Sequence, residues 1–88
     1  MKDLRTLLPS SAKEELKNEV SKRLKVLIDK HGITNYYGEI KTSFQINIRM
    51  ELMCDYPYLN DMCDYTKWYR EVFKEVSNEA IKSKEIKY

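Results

Sequence analysis

The sequence predicts a small α+β domain in the order helix, strand, strand, helix (α-β-β-α), with both helices on one face of an antiparallel β-hairpin. Two long segments with apolar residues at three- and four-residue intervals predict the helices. Between them, an unbroken apolar/polar alternation from Ile40 to Leu52 predicts one long strand, and Gly38-Glu39 just before it predicts the hairpin turn.

A chain of 88 residues carries apolar surface for one core only, so residues 1–88 are read as a single domain, with 1–9 as an N-terminal arm and 82–88 as a fraying end. Hydrophobic residues make up 42% of the chain and charged residues 34%, a balance that suits a folded domain and not a disordered tail. The formal net charge of +2 is far from the basic excess that by itself marks a nucleic-acid-binding surface. No apolar run approaches the roughly 18 residues of a membrane span. Met1 to Ser10 carry Lys2, Asp3 and Arg5 where a secretory leader needs an apolar run. A cytoplasmic location is expected, with Cys54 and Cys63 as reduced thiols.

The first helix is predicted from Ser10 or Ser11, with Glu14 in capping-box spacing. Ala12, Leu16, Val20, Leu24, Leu27 and Ile28 form its stripe, and Gly32 ends it in a left-handed conformation. Ile33 to Tyr37 reads as a short strand and Gly38-Glu39 as a two-residue turn. In the long strand the even-numbered side chains, Ile40, Phe44, Ile46, Ile48 and Leu52 among them, face the core. From Met53 to Asp64, the aspartates Asp55, Asp61 and Asp64 together with Pro57 mark a connecting loop. Asn60 or Asp61 caps the last helix, whose stripe is Met62, Tyr65, Tyr69, Val72, Val76 and Ala80, broadened by Trp68, Phe73 and Ile81.

Little in the chain points to catalysis. Two glycines, Gly32 and Gly38, cannot build a phosphate-binding loop, and there is no G-x-S-x-G nucleophile turn. His31, the one histidine, falls in the last turn of a helix, where it serves the helix dipole. The tetrapeptide Met-Cys-Asp-Tyr occurs at Met53 to Tyr56 and again at Met62 to Tyr65, an offset of nine residues that fits neither a helix face nor a zinc-ligand pattern. No enzymatic activity, no metal and no cofactor is expected.

Two binding roles follow. In the first the protein is an interaction module, an inhibitor or adaptor for a larger protein, contacting it through Tyr56, Tyr58, Leu59, Trp68 and Tyr69, a set rich in the aromatic types that dominate interface hot spots. The long strand outruns its hairpin partner, so a homodimer through Ile48, Met50 and Leu52 is expected to cover the open edge. In the alternative, Gln45, Asn47 and Arg49 project together from the polar side of the strand and read base edges in nucleic acid. From Gln45 to Arg49 the chain resembles the base-reading strand of ribbon-helix-helix repressors, and the resemblance implies a DNA-binding dimer with paired strands in the major groove. That family follows its strand with two helices, where this chain has a Pro-containing loop and one helix. Charge placement favours protein binding. Glu19 can pair with Arg23 and Lys25 with Asp29, while Lys67, Arg70 and Lys74 interleave with Glu71 and Glu75, so neither helix offers a cationic stripe to phosphates.

Overall fold

The computed structural model describes residues 2–32 and 40–86, apart from the side chains of 84–86. A short 3-10 turn at Leu4–Thr6 leads into α1 (Pro9–His31), followed by α2 (Thr42–Asp55), a second 3-10 turn at Pro57–Asp61 and α3 (Tyr65–Ile86). The α+β prediction is corrected: among the described residues there is no sheet, and the segment expected as the long strand is α2. The expected strand Ile33 to Tyr37 and the turn Gly38-Glu39 lie outside the described residues.

Burial shows why α2 is a helix. Phe44, Ile48 and Leu52 are 3%, 0% and 0% exposed, whereas Ile46 and Met50 are each 57% exposed. A strand would turn all five the same way, while burial at every fourth residue is the helical period. Strict alternation by two contains two four-residue series, and the helix commits one to the core and leaves the other in water.

The helix ends have separate causes. Pro9 occupies the first turn of α1, where its fixed φ suits the helix and its missing N–H costs nothing. Leu8 is the N-cap and no side chain bonds there, so Ser10 and Ser11 sit inside the helix and neither caps it. Gly32 ends α1 as the sequence predicts, its N–H donating to the Ile28 carbonyl at 2.8 Å, but at φ 86°, ψ 168° it is extended with positive φ, a glycine conformation other than the left-handed helical cap expected. Pro57 disfavours the helical conformation at Tyr56, which stands at φ −130°, ψ 77° and closes α2. Met53 to Asp55 therefore belong to α2, Pro57–Asp61 wind as a 3-10 turn, and α3 starts at Tyr65, beyond the expected caps Asn60 and Asp61.

The three helices run up, down and up. Arg23 of α1 meets Asp55 at 2.7 Å and His31 lies beside Phe44, so α1 and α2 are antiparallel. The Tyr65 hydroxyl reaches the Arg49 carbonyl and that of Tyr69 the Gln45 carbonyl, so α2 and α3 are antiparallel too. Lys13 pairs with Glu71 and Lys17 with Glu75 and Glu79, which makes α1 and α3 parallel. At about 1.5 Å per residue α1 is about 35 Å long, most of the 41 Å long axis of the molecule. The core joins Ala12, Leu16, Val20 and Leu24 to the α2 stripe and to Tyr65, Tyr69, Val72, Phe73 and Val76, so the stripes predicted for the two outer helices hold.

Polar ties fix the ends of α2. Lys41 Nζ donates to the His31 carbonyl at 2.7 Å, satisfying an acceptor that α1 leaves open at its C-terminus. Arg23, partly buried, bonds Glu19 as the i,i+4 spacing predicts and reaches across to Glu51 and Asp55 of α2. The N-terminal arm docks as well: Leu4 is buried, its N–H donates to the Tyr58 hydroxyl at 3.0 Å, and Arg5 lies 4.5 Å over the Tyr58 ring.

Two substitutions separate a helix from a strand here. Ile48→Asp puts an unpaired charge in the core and should abolish the cooperative thermal transition in far-UV circular dichroism. Ile46→Asp, on the solvent side, should change stability by no more than about 0.5 kcal/mol. Comparable loss in both variants would return Ile46 to the core.

Candidate interaction surface

Successive residues of α2 turn by about 100°, which divides its surface into sectors. Phe44, Ile48 and Leu52 face the core, Glu51 and Asp55 reach Arg23 on α1, and Gln45 and Arg49 lie toward α3. Ile46, Asn47, Met50 and Cys54 remain outward, all of them exposed. Isolated exposed apolar residues are ordinary on any protein, but here two large ones stand one turn apart on the same helix. With Cys54 they form a strip about 12 Å long, and the neighbouring Met53 is half-buried against the core.

The residues expected to bind a partner serve mainly to hold the fold. Leu59 and Tyr69 are each 1% exposed. Tyr56, Tyr58 and Trp68 are half-buried against the core, the first two with rings edge to face at 6.3 Å, and Tyr58 clamps the N-terminal arm. Of the expected dimer interface, Ile48 and Leu52 are core and only Met50 is exposed. A helix closes its own main-chain hydrogen bonds, so the strand edge that was to pair two copies does not exist.

The shared strand face expected of the base-reading row is likewise absent, because the segment is a helix. On a helix Asn47 points about 160° away from Gln45 and Arg49, so the three side chains no longer share a face. Gln45 and Arg49 sit half-buried beside α3, where Arg49 Nη2 lies 3.4 Å from Thr66 Oγ1. Sequence reasoning missed Ile46 as a surface residue by assigning it to the core. The signal was present in the four-residue series Thr42, Ile46, Met50, which runs parallel to Phe44, Ile48, Leu52.

Electrostatics at the α2–α3 contact are set by two buried phenols. Burial pushes the Tyr65 hydroxyl up to about 12, with the Arg49 charge pulling the other way. Tyr69 is raised as well, chiefly by burial, and its hydroxyl donates to the Gln45 carbonyl at 2.6 Å. On the α1 side burial works against the Arg23 charge, but its hydrogen bonds to Asp55 and Glu19 raise its pKa above the usual arginine value. Among the described residues no group of three His, Cys, Asp or Glu side chains could hold a metal ion, and no helix is long and apolar enough to cross a membrane. Compared with known proteins, the chain matches no family model, no curated protein and no solved structure.

The tyrosines make the bundle alkali-sensitive. A phenol whose pKa is raised by folding stabilises the fold fully below its unfolded pKa near 10, and this contribution is lost as pH rises toward about 12. Far-UV circular dichroism should therefore report loss of helix across that interval. The Tyr65→Phe/Tyr69→Phe variant should move the transition to higher pH, at a cost of about 1 kcal/mol at neutral pH for each of the two lost hydroxyl bonds. Wild-type and variant transitions that coincide would separate the tyrosines from the alkaline limit.

Proposed function

We propose that the protein is a non-enzymatic interaction module that lays the outward face of α2 against a larger protein, as an inhibitor or adaptor. The observation that carries this reading is the pair Ile46 and Met50, 57% exposed on adjacent turns of the middle helix. Burying the exposed part of each under a partner is worth roughly 1–1.5 kcal/mol. Because α2 is held on one flank by α1 and on the other by α3, its free face is presented on a rigid element, which lowers the ordering cost of association. Ser43, Asn47 and Glu51 border the strip and supply the polar rim that docked helices use. A cytoplasmic setting, in which Cys54 and Cys63 stay reduced, belongs to the same proposal. A second copy docking through the same strip, with Met50 inside the contact, is the self-associated form of the same proposal.

The double variant Ile46→Glu/Met50→Glu tests it. It should keep the wild-type helical signal, and partners captured by the wild-type protein should be lost. A Leu8→Ser/Val26→Ser control, which removes the other two large exposed apolar side chains among the described residues, should retain them. Light scattering distinguishes the self-associated form, which exceeds the 10.6 kDa of one chain in wild type and returns to it in the double variant. Capture and mass both unaffected by the two glutamates would refute the docking face.

A further inference from the structure

Beside the docking strip, α2 and α3 part to form an open cleft of about 260 Å³ whose polar lining is Thr42, Gln45, Arg49, Thr66, Tyr69 and Arg70. Two guanidinium groups, hydroxyls and a primary amide meet there, and no carboxylate lines it. Elsewhere in the chain the arginines are neutralised and, among the described residues, these two are not: both other arginines, Arg5 and Arg23, pair with acidic side chains. Several lysines also lack an acidic partner among the described residues, but they stand on open surface and do not converge on this cleft. Arg49 has only the Thr66 hydroxyl, at 3.4 Å, and Arg70 makes no ion pair among the described residues.

Arg49 carries a second anomaly. Its Nε is buried and has no hydrogen-bond partner. A buried donor left unsatisfied destabilises a fold, and an apolar side chain of similar length would fill the same space without that cost. The guanidinium fork matches two oxygens of one oxyanion, and hydrogen bonds of this kind are among the strongest that side chains make.

We propose that this cleft is an oxyanion-binding site, in which Arg49 and Arg70 hold a phosphate or carboxylate group and the hydroxyls of Thr42 and Thr66 complete its hydrogen bonds. Arg49 is anchored between the helices and sets the position, whereas the exposed Arg70 closes from the α3 side. The site stands apart from the docking role and shares with it only Ile46, which lines one wall of the cleft.

The test is titration of the intact protein with sodium phosphate, sodium acetate and, at matched ionic strength, sodium chloride, followed by amide and arginine Nε shifts in NMR. Phosphate or acetate should produce saturable shifts at Thr42, Arg49, Thr66 and Arg70 that chloride does not, and the tighter of the two identifies the ligand as phosphoryl or carboxylate. Arg70→Gln, a surface change, should weaken the response about tenfold or more. Arg49→Met should abolish it while leaving the melting temperature unchanged or higher, an outcome opposite to that of a structural arginine. Shifts no larger than with chloride, an unweakened response in Arg70→Gln, a saturable response that survives in Arg49→Met, or a lower melting temperature in Arg49→Met would overturn the assignment. The Ile46→Glu/Met50→Glu capture experiment reads the docking face separately, so either can fail alone.

Discussion

Everything in this bundle depends on the stripe Phe44, Ile48 and Leu52, which covers the seam where the two long parallel helices pack against each other. Each outer helix has one apolar face; α1 and α3 turn theirs toward each other, and α2 closes over what they leave open. Burial of the three side chains contributes roughly 1.5–3 kcal/mol apiece. That burial has work to do, because the β-branched Thr42, Ile46 and Ile48 are indifferent helix formers and a 14-residue segment is marginal as an isolated helix. Tertiary packing overrides local preference here. Lys41 at one end and Arg23 near the other then fix the helix along its length, so that the stripe stays in register with Leu16, Val20 and Leu24.

The same stripe explains what the sequence does and does not disclose. The outer helices are legible because their apolar residues follow three- and four-residue steps that no strand can use, as from Tyr65 through Tyr69 and Val72 to Val76. Gly32 and Pro57 act on φ and ψ locally, and both mark true helix ends. The middle element is ambiguous in principle. Ile40 to Leu52 satisfies a period of two throughout, and every other member of that series also satisfies a period of four. β-Branched composition then tilts the choice toward a strand, and the deciding fact, which two helices flank the segment, is absent from the segment itself.

The candidate surface was less legible than the fold. Tyrosine and tryptophan are read from sequence as recognition residues, yet Tyr65 and Tyr69 each bury a ring and place the hydroxyl on a main-chain carbonyl of α2, while Tyr58 receives the N–H of Leu4. An aromatic with a polar tip suits a small bundle that must fasten helix to helix across a thin core. Arg49 was singled out for its type and strand position; its interest now lies in its neighbours Thr66 and Arg70, one of them 17 residues away. Proximity of that kind is created by the fold.

The up-down-up order has an electrical consequence. Helix dipoles of antiparallel neighbours cancel, so with α1 and α3 aligned and α2 opposed, one helix dipole is left over, about half an elementary charge at each end of the bundle. The negative pole lies where α1 finishes, and Lys30, His31 and the ammonium of Lys41 gather there. Asp61 and Asp64 stand just ahead of α3, at the opposite pole. Asp55 ends α2 with the wrong sign for its own axis and is held by Arg23 at 2.7 Å. Side-chain charge thus opposes the backbone field at both caps, leaving the long flanks, and not the tips, as the directions from which a charged molecule senses this protein.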